Sequence, residues 1–201
     1  QFLSAGPGFG GSCFKKDILN LVYLSDYFGL PEVANYWNQV VALNTWQQDR
    51  IYRIVLKKLF GTVDGKNIAI LGFSFKANTN DTRESPAISI SRDLLEEGAN
   101  LSIFDPKVSF ERIEEDFEKS TFNNQGIWQM ANSIPDALKN VDAVIILTAW
   151  DEFFGLDWNY LASLMRSPAW VFDTRSVVNR KEIENTGLNL WKLGEGDKML
   201  I

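Results

Sequence analysis

The chain has 201 residues, of which 45% are hydrophobic and 23% charged, and these values exclude an intrinsically disordered protein. Its 20 basic and 26 acidic residues give a net charge of −6, which argues against nucleic acid or an anionic membrane surface as a partner. No apolar run approaches the ~18 residues of a membrane span. We therefore expect no nucleic-acid partner and no membrane partner.

Two residue types are scarce, and their scarcity excludes whole classes of chemistry. The chain has no histidine, which excludes a Ser-His-Asp triad, a Cys-His pair and any metal held by its own histidines. Its single cysteine, Cys13, excludes an internal disulfide and a multi-cysteine metal site. We find no carboxylate loop typical of Mg²⁺ or Ca²⁺ binding, so we predict no metal site. One unpaired cysteine suits a reducing compartment, and we expect a cytoplasmic protein.

The first 62 residues predict a Gly-rich arm followed by two helices. The chain opens at Gln1 inside the Gly-rich stretch, so we expect it to be part of a longer protein. A helical pattern runs from Asp17 to a stop at Gly29. A second helix is predicted from Glu32 to Phe60, where neither Gly nor Pro occurs. Such a helix would be roughly 43 Å long, a length typical of helices that bridge domains or pack against another subunit.

From about Lys66 to Ile201 the pattern alternates between buried strands and helices. The predicted strands are 67–71, 101–104, 141–147, 170–172 and 188–193, and the predicted helices are 87–97, 134–139 and 160–165. This alternation indicates right-handed βαβ units, hence a doubly wound α/β domain with a parallel sheet. Residues 106–132 are charged and then rich in Asn and Gln, and we predict an insertion lying over the sheet.

The first candidate motif is GFGGSCFKKD, from Gly8 to Asp17. Its glycines allow the backbone to approach a ligand closely. Cys13 lies near the predicted start of a helix and beside Lys15 and Lys16, which favours a reactive thiolate. Asp17 is four residues further on, so it can share a helical face with Cys13. The alternative is a small buried cysteine, but Gly-Gly and Lys-Lys-Asp are poor neighbours for a core residue.

The second candidate motif is LGFSFKANTNDTRESP, from Leu71 to Pro86, at the carboxyl end of the first predicted strand. Lys76 and Arg83 supply cations for a pyrophosphate, Phe73 or Phe75 can line the wall of a pocket, and Ser85-Pro86 predicts a helix start whose free amides suit phosphate. A solvated polar loop is the equally weighted alternative. Only one glycine stands where the dinucleotide fingerprint needs three, so we assign no complete NAD site to this sheet.

The third candidate motif is FDTR, from Phe172 to Arg175, at the end of the fourth predicted strand. Arg175 is expected at the same edge of the sheet as the second motif. For this motif taken alone, an ordinary ion pair with Asp173 is the favoured interpretation. Asp105, which ends the second predicted strand, is interpreted as a turn residue before Pro106.

The three motifs, in this order and around one long helix, resemble the nucleotide-sugar dehydrogenases of the UDP-glucose/GDP-mannose dehydrogenase family. The resemblance covers essentially the whole chain but only the C-terminal part of such an enzyme. It implies a Rossmann-like, parallel-sheet UDP-binding domain over residues 66–201, preceded by a helical central dimerisation segment over residues 1–62 with one long helix. A homodimer or higher oligomer would form through helix 32–60. The cofactor NAD would be bound mainly by an N-terminal domain that these residues do not include.

The resemblance also implies roles for individual residues. Cys13 takes the place of the nucleophile, which forms a thiohemiacetal and then a thioester with the sugar, and Asp17 takes the place of the acid that assists water or proton transfer. The positions that match substrate contacts are Ser4, Phe9, Gly10, Phe75, Lys76 and Arg175. The positions that match cofactor contacts are Cys13, Lys16 and Arg83.

The implied reaction is the NAD-dependent oxidation of UDP-glucose to UDP-glucuronate. GDP-mannose or a UDP-N-acetylhexosamine remains open as the substrate, and so does a non-catalytic, dimeric module that binds sugar nucleotides. Because the NAD-binding domain of the family is missing from these 201 residues, we expect the chain alone to show no turnover.

Overall fold

The computed structural model describes residues 5–119 and 125–195. Two helices precede a six-stranded sheet in which every strand pair is parallel. The helices are α1 (Phe14–Tyr27), α2 (Pro31–Lys58), α3 (Pro86–Glu96), α4 (Phe110–Glu118), α5 (Ile134–Ala137), α6 (Trp158–Leu164) and α7 (Arg180–Ile183). The strands are β1 (Asn67–Leu71), β2 (Asn100–Phe104), β3 (Trp128–Met130), β4 (Ala143–Ile146), β5 (Trp170–Asp173) and β6 (Asn189–Lys192).

The two helices of the first part begin and end close to where the sequence predicts. Cys13 is the N-cap residue of α1, and the helix begins at Phe14, three residues before the predicted start. Gly29, with φ of +74°, turns the chain after α1, and Pro31 opens α2 at a position where its missing N–H costs nothing. Helix α2 has 28 residues, which confirms a single unbroken helix.

The sheet has the strand order β3-β2-β1-β4-β5-β6, the order of a doubly wound Rossmann-like domain. Strands β1 and β4 lie at its centre, and β4 is buried at every position. The predicted α/β fold class with its parallel sheet is therefore confirmed. The strand order reverses between β1 and β4, and in such folds the crevice at this point is where ligands bind.

The prediction of an insertion at residues 106–132 is wrong. This segment is an ordinary crossover, in which α4 starts at the N-cap Ser109 and buries Ile113 and Phe117 against the sheet. The chain then adds β3, which pairs in parallel with β2. Strand β3 has only three residues and lies at the edge, with no position fully buried, so the sequence carries no hydrophobic run to reveal it.

Two hydrophobic clusters cover the two faces of the sheet. One contains residues of α3 and α4, and the other contains residues of α5, α6 and α7. The last turns of α2 join the first cluster through Ile51 and Val55, both fully buried. The C-terminal half of the long helix is thereby fixed to the sheet. The proposed division into residues 1–62 and 66–201 remains a prediction.

Within the residues that the structure describes, no helix combines the length and the apolar character needed to cross a membrane. The same residues contain no group of three or more Cys, Asp or Glu side chains placed to hold a metal ion.

Candidate functional site

Asp105 holds the carboxyl ends of three strands together. It follows β2 and is 3% exposed. Its Oδ2 accepts hydrogen bonds from the backbone N–H groups of Phe73 (2.7 Å) and Ser74 (3.0 Å) after β1, and from Nε1 of Trp150 (3.2 Å) after β4. Its Oδ1 accepts from the backbone N–H groups of Lys107 and Val108, which confirms the predicted turn. With both oxygens occupied, this carboxylate has a structural role.

The crevice between β1 and β4 is filled by the protein itself. Gly72 follows β1 with φ of +89°, and a Cβ there would lie 2.8 Å from the backbone nitrogen of Thr148. The Thr148 hydroxyl donates to the carbonyl oxygen of Ser74 at 2.6 Å. The two loops thus close on each other at the point where a dinucleotide-binding domain keeps room for a pyrophosphate. This geometry agrees with the absence of the glycine fingerprint from the sequence.

Arg175 is a cation without a carboxylate partner. Its Nε donates to the carbonyl oxygen of Leu147 at 2.7 Å, and among the described residues its guanidinium forms no ion pair. The Asp173 carboxylate accepts instead from backbone N–H groups, including that of Arg175 at 2.9 Å. The ion pair considered from the sequence is therefore wrong. Burial lowers the pKa of Arg175 to about 10, so the side chain remains charged at neutral pH.

The Gly-rich arm lies across this arginine. A Cβ at Gly6 would lie 2.5 Å from Nη1 of Arg175, so the backbone of the arm runs directly over the guanidinium. Further along, Gly10 and Gly11 lie on Phe75, and a Cβ at Gly11 would approach the Phe75 ring to 2.9 Å. The Gly11 N–H donates to the carbonyl oxygen of Arg83 at 2.8 Å. The arm therefore connects the third sequence motif to the second.

Polar side chains of α2 hold the other side of the arm, and the sequence analysis did not identify them. Asn44 accepts from the Phe9 N–H at 2.7 Å and donates to the Phe9 carbonyl at 3.1 Å. Gln47 donates to the carbonyl oxygen of Gly6 at 3.1 Å. The spacing of three residues, which places both side chains on one face of α2, was the only available signal.

Cys13 is exposed at the first turn of α1, so the alternative of a buried cysteine is wrong. Its Sγ lies 3.6 Å from the Ser12 hydroxyl oxygen. Asp17 follows one helical turn later, and its N–H donates to the Cys13 carbonyl at 2.8 Å. Among the described residues, the Asp17 carboxylate has no hydrogen-bond or ion-pair partner, and neither does the ammonium of Lys16. Both groups are exposed beside the thiol.

Arg83 lies close enough to Cys13 for their charges to interact. Its pKa is raised mainly by its hydrogen bonds to Asp81 and by the charge of that carboxylate, with a smaller contribution from Cys13. Lys15 forms an ion pair with Glu84 at 2.8 Å, which ties α1 to the same loop. A cleft of about 750 Å³ opens beside these side chains, between α1, α3 and α4.

The loop that carries Arg83 is anchored to α4. Thr82 is fully buried, and its hydroxyl hydrogen-bonds to the buried carboxylate of Asp116 in α4. Asp116 also pairs with Arg112 at 3.3 Å and Lys119 at 2.9 Å. The loop after β1 is therefore more than a solvated connection.

The structure gathers the predicted residues into two neighbouring groups under one arm. Phe9, Gly10, Phe75, Cys13 and Arg83 lie at one end, and Arg175 lies under Gly6 at the other. The ammonium of Lys76 lies 5.4 Å from the centre of the Phe75 ring. Ser4 falls outside the described residues. Gly11 lies five positions after Gly6, a span of at most about 18 Å.

This fold and site define an α/β domain of the Rossmann type joined to a helical segment that carries an exposed cysteine. Residues 69–180 match the model of the UDP-glucose/GDP-mannose dehydrogenase family, UDP binding domain, and residues 1–46 match the central domain of the same family. The chain belongs to the UDP-glucose/GDP-mannose dehydrogenase family.

Individual relatives agree with this assignment. The chain is 43% identical to UDP-glucose 6-dehydrogenase 4 of Oryza sativa subsp. japonica over 97% of its own length and 43% of the relative's length. It resembles the structure of a UDP-glucose dehydrogenase from the archaeon Pyrobaculum islandicum, with a TM-score of 0.70 and 28% identity over 96% of this chain and 39% of that one.

An NDP-N-acetyl-D-galactosaminuronic acid dehydrogenase from Methanosarcina mazei has the same fold, with a TM-score of 0.74 at 20% identity over 94% of this chain and 39% of that one. The chain thus spans less than half the length of the relatives it matches.

Proposed function

We propose that this chain is the part of an NAD-dependent UDP-glucose 6-dehydrogenase that binds the sugar nucleotide and carries the nucleophilic cysteine. The observation that carries the proposal is Arg175, a partly buried guanidinium with no carboxylate partner among the described residues, placed at the carboxyl edge of the sheet. Burying an uncompensated charge is unfavourable, and a bound anion removes that cost. Phosphate groups are among the anions that a planar guanidinium binds with two parallel hydrogen bonds.

The arm supports a sugar nucleotide rather than a free anion as the ligand. Its backbone passes over Arg175 at Gly6 and reaches Phe75 at Gly10, so one extended ligand following the arm could contact both residues. The diphosphate would bind at Arg175, with the sugar directed toward Phe75, Lys76 and Cys13. The match to a UDP binding domain and the 43% identity to UDP-glucose 6-dehydrogenases favour uridine and glucose over the alternatives.

Cys13 would act as the nucleophile on the oxidised sugar. Its Sγ is exposed at the N-terminus of α1, where the oxidised sugar could reach it. The thiolate adds to the aldehyde carbon at C6 to form a thiohemiacetal. Loss of a hydride to a second NAD and of a proton would convert the thiohemiacetal to a thioester. Water would then attack the thioester carbonyl, the carbon–sulfur bond would break, and the thiolate would be restored. Asp17, one turn from Cys13 and without a partner among the described residues, would take the proton from the attacking water.

Among the residues that the structure describes, the sheet offers no complete site for NAD. The closed crevice at Gly72 and the fully bonded Asp105 leave neither a pyrophosphate cradle nor a ribose-binding carboxylate on this sheet. NAD supplies the hydride acceptor for the oxidation of the alcohol. In this chain, Arg83 and Lys16 beside the cleft are the side chains proposed to contact it from outside its main site.

We also propose a homodimer or higher oligomer that forms through the hairpin of α1 and α2. This hairpin exposes large hydrophobic side chains, among them Tyr36 and Leu43, which are 67% and 61% exposed. An apolar helical face of this length suits an isologous contact with a second copy. The exposed thiol suits a reducing, cytoplasmic location.

Calorimetric titration with UDP, GDP and NAD tests the function. We expect the chain to bind UDP more tightly than GDP, to bind NAD weakly or not at all, and to lose at least tenfold in UDP affinity in Arg175→Met. Without an NAD-binding domain, we expect no turnover of UDP-glucose by the chain with added NAD.

The reactivity of the thiol is tested in a separate experiment. Because Cys13 is the sole cysteine of the chain, any alkylation of a thiol takes place at Cys13. Iodoacetamide should react with Cys13 at neutral pH faster than with a model thiol. A rate no faster than that of the model thiol, combined with normal UDP binding, would favour the non-catalytic binding module instead.

A further inference from the structure

Asn44, in the middle of α2, holds one residue of the arm by both of its backbone groups. Its Oδ1 accepts from the Phe9 N–H at 2.7 Å, and its Nδ2 donates to the Phe9 carbonyl at 3.1 Å. A side-chain amide that pairs with a backbone in this way reproduces the two hydrogen bonds of a strand pair. Among the protein side chains, only Asn and Gln can offer an acceptor and a donor in this arrangement without a charge.

The arm approaches α2 too closely at this point for ordinary side chains. A Cβ at Gly8 would lie 2.8 Å from Oδ1 of Asn44 and 3.2 Å from Cγ of Gln48. Gln47 adds a third hydrogen bond, to the carbonyl oxygen of Gly6 at 3.1 Å. The path of the arm is therefore determined by one face of α2 as well as by the sheet domain.

This path determines what lies over the nucleotide site. Gly6 covers Arg175 three residues before the Phe9 contact, and Gly10 lies on Phe75 one residue after it. A shift of the arm at Phe9 would move both of these contacts and would also move Cys13, which follows four residues later. By itself, the carboxyl edge of the sheet forms only one wall of the site.

We infer that Asn44 is a positioning residue that fixes the arm over the nucleotide site, so that the long helix controls nucleotide affinity without touching the nucleotide. This inference rests on the proposed function, since it assumes that the site under the arm binds a nucleoside diphosphate. It adds to that function a residue outside the three sequence motifs. Helix α2 would thus position the arm in addition to packing against the sheet domain.

The test measures the UDP affinity of Asn44→Asp by calorimetry and its melting temperature by circular dichroism. The substitution keeps the shape of the side chain but removes the donor and places a negative oxygen against the Phe9 carbonyl. The Phe9 N–H keeps its acceptor, but the bond to the Phe9 carbonyl is replaced by repulsion between two oxygens, and UDP affinity should fall about tenfold. The melting temperature should stay within about 3 °C, because the arm contributes little to the core.

Two further variants make the result decisive. Asn44→Ala removes the clamp without adding a charge and should show a similar loss of UDP affinity at an unchanged melting temperature. Asn38→Asp makes the same chemical change at an exposed position of α2 that has no partner among the described residues, and it should bind UDP like the unaltered chain.

Each outcome decides the inference. Unchanged UDP affinity in both Asn44 variants would overturn it while leaving the proposed function intact. A loss of affinity accompanied by a large fall in melting temperature in both Asn44 variants, or an equal loss in Asn38→Asp, would also overturn it, because the effect would then not come from positioning the arm. Failure of the unaltered chain to bind UDP would contradict the proposed function, and the inference would fall with it.

Discussion

At position 10, the absence of a side chain is what allows the arm to lie on the loop after β1. A Cβ there would collide with the carbonyl oxygen of Glu84 and would lie 2.9 Å from Cβ of Phe75. The carbonyl belongs to a backbone that is itself held between Thr82 and the N-cap Ser85, so it cannot move aside at low cost. Gly10 is therefore needed for close approach rather than for an unusual backbone angle.

Gly10→Ala should displace the arm and weaken UDP binding by at least tenfold, with a cost of about 1–3 kcal/mol in the free energy of unfolding if the loop is forced to shift. Calorimetry with UDP and urea denaturation check the two effects. Gly29→Ala is the control. It places alanine at φ of +74° in open space far from the arm, so it should lower stability by about 1 kcal/mol and leave UDP affinity unchanged.

At the scale of elements, the crossover helix α4 supports the loop that carries Arg83. The buried Asp116 accepts from Thr82 of the loop and pairs with Arg112 and Lys119 of its own helix. Removing one member of such a buried network leaves the others without compensation. The helix that the sequence analysis assigned to an insertion thus stabilises part of the candidate site.

Asp116→Asn should lower the free energy of unfolding by about 2 kcal/mol, because it keeps the volume but removes the charge that two cations share. Urea denaturation measures this loss. Glu115→Gln is the matched control on the same helix. The ion pair of Glu115 with Arg112, at 3.4 Å, is exposed to solvent. This substitution should therefore lower the free energy of unfolding by less than about 0.5 kcal/mol. Equal effects of the two variants would contradict the anchoring role.

The junction between α2 and α3 concentrates acidic groups. Burial raises the pKa of Asp93 in α3 to about 6, with further contributions from Glu96 on the same helix and Asp49 on α2, while Arg92 acts in the opposite direction. Burial, followed by the charge and hydrogen bond of Glu97, raises the pKa of the neighbouring Tyr52 to about 12. Ionised Asp93 is therefore unfavourable in the folded chain.

This shift predicts a pH dependence of stability. A carboxyl whose folded pKa exceeds its unfolded value stabilises the fold fully below about pH 4, and that stabilisation is lost as the pH rises through 6. Allowing for the partial exposure of Asp93, the free energy of unfolding of Asp93→Asn should exceed that of the unaltered chain by about 1 kcal/mol at pH 7.5. Near pH 4 the two free energies should be equal. Urea denaturation at the two pH values measures the difference. Asp26→Asn, on the exposed surface of α1, should show no such dependence.

For the whole molecule, the notable feature is an apolar surface that the described residues leave exposed. Helix α1 has a single buried residue, Ile18, although it is rich in leucine and tyrosine. On α2, Val33, Tyr36 and Leu43 recur on one exposed face. The hairpin is joined to a domain with a hydrophobic core of its own, and an exposed apolar face of this kind is typical of an interaction surface.

Sedimentation equilibrium should show a dimer or larger species, because a second copy offers the same apolar face. Tyr36→Glu and Leu43→Glu should each shift the equilibrium toward the monomer by at least tenfold in dissociation constant. Phe60→Glu is the control, since Phe60 is 86% exposed but lies beyond the end of α2. A monomeric unaltered chain would contradict the proposed dimer and point to another segment as the cover of this face.

The sequence by itself determined the parts of this protein that depend on local order. Unbroken apolar periodicity predicted α2, continuous buried runs predicted β1 and β4, and Ser85-Pro86 predicted the start of α3. The motifs around Cys13 and Arg175 were visible because glycines, lysines and an arginine are unusual neighbours for a core. Strand β3 was missed because an edge strand of three residues has no hydrophobic pattern.

Only the tertiary structure decided which residues far apart in the sequence contact one another. Asp105 is bonded by loops up to 45 residues away, the guanidinium of Arg175 forms no ion pair with any described residue, and Asn44 meets Phe9 across 35 residues. Each of these facts depends on where the chain returns in space. Hydrogen bonds and desolvation act over a few ångströms. Which groups come within such distances is decided only when the sheet and the long helix assemble, so these contacts cannot be read from the sequence.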